Sequence, residues 1–263
     1  MKDSKGYLER MKGAMREKLF FIEHLDLNNK IIIDFGAADG SLVKELINIG
    51  YENTTYFCVE DYEEFLQACK QLKEIGDVTA VSGLTEIEVW LREHKQYGND
   101  TREVVLICSS VLHECTWSMQ RVVNSFAVNW CNYFIVRDMY YDNLPNNKLT
   151  LFGELRALEQ FIMLSPRPNL LQDYFVEADR NSKSLDEKIK EYLLKYTYVD
   201  NWETEVQEDY FHVDWNYIFS HEHIIYQRIY TNQFIKQRVY EDFNITITWP
   251  THCQLIMQIA KEE

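Results

Sequence analysis

Over the first 140 residues, short apolar runs suited to buried strands take turns with amphipathic stretches at helical spacing, and this alternation constrains the fold most. An N-terminal helix is expected from Tyr7, Leu8, Met11, Met15 and Leu19. Strands follow at Lys30 to Phe35, Thr54 to Glu60, Val78 to Ser82, Glu103 to Ser109 and Asn132 to Arg137. Between them, helices are predicted over Ser41 to Ile49 with Gly50 as stop signal, Tyr62 to Ile75 ended by Gly76, a stretch through Trp90 and Leu91, and Trp117 to Trp130. Units of this size predict an α/β fold: a doubly wound, mostly parallel sheet.

The pattern changes after about residue 145. Leu149 to Tyr240 reads as helical and rich in Tyr, Trp and Phe, with Ser184-Leu-Asp-Glu as a capping box for a helix ending near Tyr196. Two last strands, Phe243 to Trp249 and Cys253 to Ile259, flank a turn at Pro250 and predict an antiparallel hairpin at one sheet edge. The expected organisation is therefore a core over 1–148, a helical insertion over 149–241 and a terminal β-hairpin over 242–263. With four prolines, nine glycines and no low-complexity tract, the helical block reads as an insertion, not a separate domain.

At 46% apolar and 26% charged, the composition is that of a globular chain. Its apolar runs are only a few residues long, so no membrane span is expected. The charged N-terminus lacks the apolar centre of a signal peptide, so a cytoplasmic location is expected. The six cysteines form no Cys-x-x-Cys pair, so neither a metal site nor a disulfide framework is expected, only buried reduced thiols. A net charge of −15 opposes binding to nucleic acid, whose affinity comes largely from phosphate contacts.

The segment Ile31-Ile-Ile-Asp-Phe-Gly-Ala-Ala-Asp-Gly40 is a strand, a glycine turn and a helix start. Alone, such a turn is equally a plain strand-to-helix connection or a loop admitting a ligand close to the backbone. Two acids tip the balance. Asp34 sits two residues before Gly36, where a pyrophosphate would be repelled but a cation such as a sulfonium with an ammonium group would be attracted. Glu60 ends the second strand, where a carboxylate can accept hydrogen bonds from both ribose hydroxyls. The competing reading of Glu60 is a solvated acidic helix start beside Asp61, Glu63 and Glu64.

These residues resemble the class I, Rossmann-like S-adenosylmethionine-dependent methyltransferases, whose first motif is Asp/Glu-x-Gly-x-Gly-x-Gly. The chain matches at Asp34, Gly36 and Gly40 and departs at Ala38. The segments Val104 to Glu114 and Asn132 to Met139 resemble the family's fourth and fifth strands. The resemblance implies a seven-stranded sheet with one antiparallel strand and S-adenosylmethionine as cofactor. It implies a cofactor site of Asp34, Gly36, Ala38, Gly40, Glu60 and Ser109. An NAD-binding fold would require Gly-x-Gly-x-x-Gly, which is missing after Gly36.

Methyl transfer requires a positioned nucleophile and, for some acceptors, a base. Carboxyl ends of strands four and five offer Ser109, Ser110, His113, Glu114, Arg137 and Asp138. His113 is the candidate base and Glu114 its candidate partner, against the alternative that His113 only packs beside the following helix. Arg137 and Asp138 read as an internal ion pair. No Asn/Asp-Pro-Pro-Tyr/Phe signature follows strand four, and no Pro-Cys nucleophile is present. His221 and His223 read as surface residues. The expected function is methylation of a small-molecule or nucleoside-like acceptor beneath the insertion, whose aromatics either stack on that acceptor or form a core of their own. The alternatives are an RNA methyltransferase working with a partner and a non-catalytic binding protein with the same fold.

Overall fold

The computed structural model describes residues 15–140, 169–170, 174, 185–196, 202–208, 210–219, 223–244, 246–247 and 249–260. Seven strands among these are β1 (Lys30–Phe35), β2 (Thr55–Val59), β3 (Val78–Val81), β4 (Glu103–Ser109), β5 (Tyr133–Met139), β6 (His223–Tyr230) and β7 (His252–Gln258). They form one sheet in the order β3-β2-β1-β4-β5-β7-β6. β1 pairs parallel with β2 and β4, β2 with β3, and β4 with β5. β7 runs opposite to β5: Ile259 N–H donates to Asn132 C=O and Tyr140 N–H to Thr251 C=O, both at 2.9 Å. The sheet is thus the expected doubly wound, mostly parallel one.

The described helices are α1 (Ser41–Ile49), α2 (Glu63–Gln71), α3 (Leu84–Leu91), α4 (Trp117–Trp130), α5 (Leu185–Tyr196), α6 (Trp202–Glu205), α7 (Trp215–Phe219) and α8 (Gln233–Phe243). α1 stops where Gly50 enters the left-handed region, its N–H bonding Ile47 C=O. Thr116 caps α4 by accepting from Met119 N–H.

Two compact units make up the chain. The first comprises Lys12–Met139, Phe211–Arg228 and Cys253–Glu263. Ile31, Ile32 and Ile33 of β1 are all buried, as a central parallel strand covered on both faces demands. Leu42, Val43 and Leu46 of α1 share a cluster with Ile32, Val105 and Ile135, each buried side chain contributing about 2 kcal/mol. Met15 and Leu19 pack against this cluster, while Tyr7, Leu8 and Met11 lie outside the described residues.

The second unit comprises Met1–Met11, Tyr140–Tyr210 and Ile229–His252. Its aromatic side chains form its own core: Tyr196 lies 4.6 Å from Phe243, Tyr174 5.5 Å and Trp202 5.9 Å from Tyr192 between ring centroids. Lys195 is buried among them with its charge fully served. Its Nζ donates to the carbonyls of Glu205 at 2.6 Å and Glu208 at 2.7 Å and lies 3.7 Å above the Tyr210 ring.

Two expectations are corrected. Residues 223–230, placed in a helical insertion, form strand β6, as their isoleucines and tyrosines favour. Among the described residues no strand forms over the stretch expected from Phe243 to Trp249: Phe243 is the buried last residue of α8 and Asn244 ends it at φ 52°. The described residues from 244 to 250 are irregular. The last two strands are therefore joined through a helix, not a tight hairpin turn. The helix read to Tyr196 begins at Leu185, with Ser184 outside the described residues.

Candidate functional site

At the carboxyl end of β1 the chain turns through Gly36, Ala38 and Gly40, with φ of 73°, 48° and 75°. All three are left-handed, a region costing a residue with a Cβ about 1 kcal/mol. Ala38 bears that cost and is held in place: its N–H donates to Glu60 Oε2 at 2.8 Å and its carbonyl accepts from Cys69 Sγ at 3.2 Å. The other Glu60 oxygen accepts from Tyr62 N–H at 2.9 Å. Gly36 and Ala37 N–H both bond Val59 C=O, tying the turn to β2. Space beside the glycines is filled by the protein itself. A Cβ on Gly36 would lie 2.3 Å from Val111 Cγ2, and one on Gly40 would lie 2.6 Å from Leu72 Cδ1.

Asp34 is buried at the end of β1. Burial pushes its carboxyl up to about 7; Lys18 opposes the shift and Glu60 and Asp39 add to it. Lys18 is buried too. Burial and the charge of Arg137 bring its amine down to about 8 against Asp34, Asp39 and Glu114. Burial also raises Glu60 above the usual carboxylate range, opposed by the amides of Tyr62 and Ala38.

β4 lies beside β1, with Asp34 opposite Ile107 and Phe35 opposite Cys108, so its carboxyl end meets the same turn. Ser109 ends β4 with a buried Oγ that has no hydrogen-bond partner among the described residues. Next, Ser110 adopts φ 61°, its Oγ 2.6 Å from Arg137 Nη1. Arg137 Nη2 donates to Glu17 Oε2 at 2.8 Å, and the Glu17 carbonyl accepts from Gln254 at 2.9 Å.

His113 and Glu114 lie in a single 3-10 turn, Leu112–Glu114. His113 is buried, while Glu114 has 54% of its side chain exposed. His113 Nδ1 is 2.6 Å from Asp138 Oδ1, and its Nε2 is 3.7 Å from Glu114 Oε1. Asp138 also accepts from the N–H groups of Val111 at 3.0 Å, Leu112 at 2.7 Å and Met139 at 2.7 Å. Burial alone would raise this carboxyl; His113 and the amides of Met139 and Leu112 hold it below the usual range. The expected Arg137–Asp138 ion pair does not form, because neighbouring residues on a strand point to opposite faces. Arg137 instead meets Glu17, and Asp138 meets His113.

Asp34, Gly36, Ala38, Gly40 and Glu60 thus gather at the ends of β1 and β2, with Ser109 at the end of the adjacent β4. Lys18 and Glu17 were not singled out by sequence, and Asp138 was read only as the ion-pair partner of Arg137, not as a partner of His113. Strand alternation, which sends Arg137 and Asp138 to different partners, was the one available signal for Asp138. His223 is exposed, and His221 lies outside the described residues.

No family model matches the sequence, and no curated protein matches it. Solved structures do match. A chain of the complex between the Haloferax volcanii Trm112 methyltransferase activator and a methyltransferase matches with a TM-score of 0.51 at 9% identity, covering 99% of both chains. The plantazolicin methyltransferase BamL, solved with a desmethyl analogue and SAH, gives 0.49 at 9% identity, covering 98% of this chain and 90% of its own. An S-adenosylmethionine-dependent methyltransferase from Aquifex aeolicus gives 0.41 at 8% identity, covering 97% and 98%. The first of these similarities, together with the strand order, defines a class I, Rossmann-like methyltransferase fold.

Proposed function

We propose that this chain is an S-adenosylmethionine-dependent methyltransferase acting in the cytoplasm on a small-molecule or nucleoside-like acceptor. One observation carries the reading: the Glu60 carboxylate joins the Ala38 amide at the ends of β1 and β2, directly beside the buried Asp34. The residues present fit the cofactor. Glu60 is the carboxylate suited to the ribose hydroxyls, Gly36, Ala38 and Gly40 shape the turn, and Ser109 offers a buried hydroxyl without a hydrogen-bond partner among the described residues. Asp34 and Asp39 supply negative charge for a cationic ligand, with Lys18 as the internal counter-ion. The bound cofactor would supply an electrophilic methyl group.

His113 and Glu114 are the candidates for handling a proton on the acceptor side. The acidic charge of the chain favours a small acceptor over nucleic acid. Of the aromatics considered for stacking on it, Tyr174, Tyr192, Tyr196 and Trp202 belong to the core of the second unit, so recognition falls to other groups.

Calorimetry with S-adenosylmethionine and S-adenosylhomocysteine tests the reading. The wild type is expected to bind both, with affinity at least tenfold weaker in Glu60→Gln, which keeps the size of the side chain. Absence of binding by the wild type overturns the assignment.

A further inference from the structure

We propose that Asp138 is a positioning residue that sets His113 as the proton acceptor of the site, a role resting on the methyltransferase reading above. Asp138 is fully buried on β5, and its Oδ2 receives two backbone N–H groups, from Val111 and Leu112. A side chain receiving that pair, with a third amide from Met139 on Oδ1, is a carboxylate with no proton of its own. The 2.6 Å contact therefore has only one polarity: His113 Nδ1–H donates and Asp138 Oδ1 accepts. In its neutral form the imidazole then carries its lone pair on Nε2. Phe211 N–H, bonded at 2.7 Å to the His113 carbonyl, pins the backbone of the same residue.

Nε2 lies on the side of Glu114, whose carboxylate is 3.7 Å away and half exposed, giving a proton taken up by His113 a route to solvent. Other ionisable groups nearby are Cys115 in the same loop, His212 on the segment that bonds Gln120, and Lys18, whose charge acts on Glu114. The same carboxylate fixes Val111, the side chain packed against Gly36, so one residue locks both the base and the loop facing the cofactor turn.

With S-adenosylmethionine bound, the cofactor would supply the methyl group to an acceptor X–H: the new bond from X to the methyl carbon would replace the carbon–sulfur bond, whose electron pair would stay on sulfur. The proton of X–H passes to His113 Nε2 and on to water. An acceptor that must lose a proton, such as a hydroxyl, suits this arrangement.

Long-range proton–nitrogen NMR of the full chain with labelled histidine tests the assignment, the His113 signal being the one lost in His113→Asn. The neutral form is expected to be protonated on Nδ1, with Nε2 taking up a proton reversibly as pH falls. Asp138→Asn is expected to move the proton to Nε2 and to lower the imidazolium midpoint by about one unit or more. A wild-type tautomer protonated on Nε2, an Nε2 that never titrates in the folded protein, or an unchanged tautomer in a folded Asp138→Asn each overturns the proposal. If Asp138→Asn does not fold, the wild-type spectrum decides alone. These readouts need no cofactor, so failure of the wild type to bind S-adenosylhomocysteine would sink the enzyme assignment without touching them.

Discussion

Replacing Gly36 by alanine should be among the costliest single-carbon additions in the sheet unit, and one other position, Gly50, makes its magnitude separable. At φ 73° any Cβ meets left-handed strain of about 1–2 kcal/mol. The new carbon would also sit 2.3 Å from Val111 Cγ2 and 2.7 Å from Val111 Cβ. Valine is stiff about χ1, and the Val111 N–H is fixed on Asp138, so the clash is not relieved by a flexible tip. Overpacking of this kind costs about 1–3 kcal/mol, for a total of about 2–5 kcal/mol. Gly50, at φ 87° with nothing within 4 Å of a built Cβ, isolates the backbone part alone at about 1–2 kcal/mol. Both variants gain equally from a stiffer unfolded chain, which cancels in the comparison. Urea unfolding followed through Trp90, Trp117 and Trp130 should therefore place Gly36→Ala at least 1 kcal/mol below Gly50→Ala. Equal losses would refute the packing of the loop after β4 onto the first turn.

Ala38→Gly should cost nothing and gain up to about 1 kcal/mol, since relief of the strain at φ 48° exceeds the added freedom of the unfolded chain; the same unfolding assay reads it. Lys195→Met keeps the buried stem but strips donors from the carbonyls of Glu205 and Glu208, for a loss on the order of 3 kcal/mol visible as a lowered midpoint in the near-ultraviolet signal of the tyrosine cluster. Asp34, raised to about 7, is neutral below that pH and charged above it. The affinity ratio of cationic S-adenosylmethionine to S-adenosylhomocysteine should therefore rise from pH 6 to pH 8. Competition calorimetry should find that ratio flat in Asp34→Asn.

Strands β1, β2, β4 and β5 were legible because buried parallel strands are continuous apolar runs, and α4 was read at Trp117 and Trp130, the residues where it begins and ends. β6 was not. Ile224, Ile225 and Ile229 are all partly exposed, so no alternation distinguishes one face, and the strand sits in aromatic-rich sequence that resembles the helices around it. Of the candidate site, the contiguous turn at Asp34 to Gly40 and the acid at the end of β2 could be found by spacing. The His113–Asp138 contact joins residues 25 apart and exists only because β5 lies beside β4, with Arg137 opposite Ser109. Glu17 and Lys18 act from an N-terminal segment whose spacing spoke only of a helix.

The position of β7 between β5 and β6 has a consequence for synthesis. A ribosome delivers β1 to β5 in full well before residues 252–258, and β6 before them as well. Until the last of these strands emerges, β5 presents an unpaired apolar flank and β6 has no neighbour on that side. The Gln254 bond to the Glu17 carbonyl spans 237 positions of sequence, so it forms only after the other six strands have been made. A pause late in translation would hold an open sheet edge in the cell, and the dependence on holdase chaperones should fall on that interval.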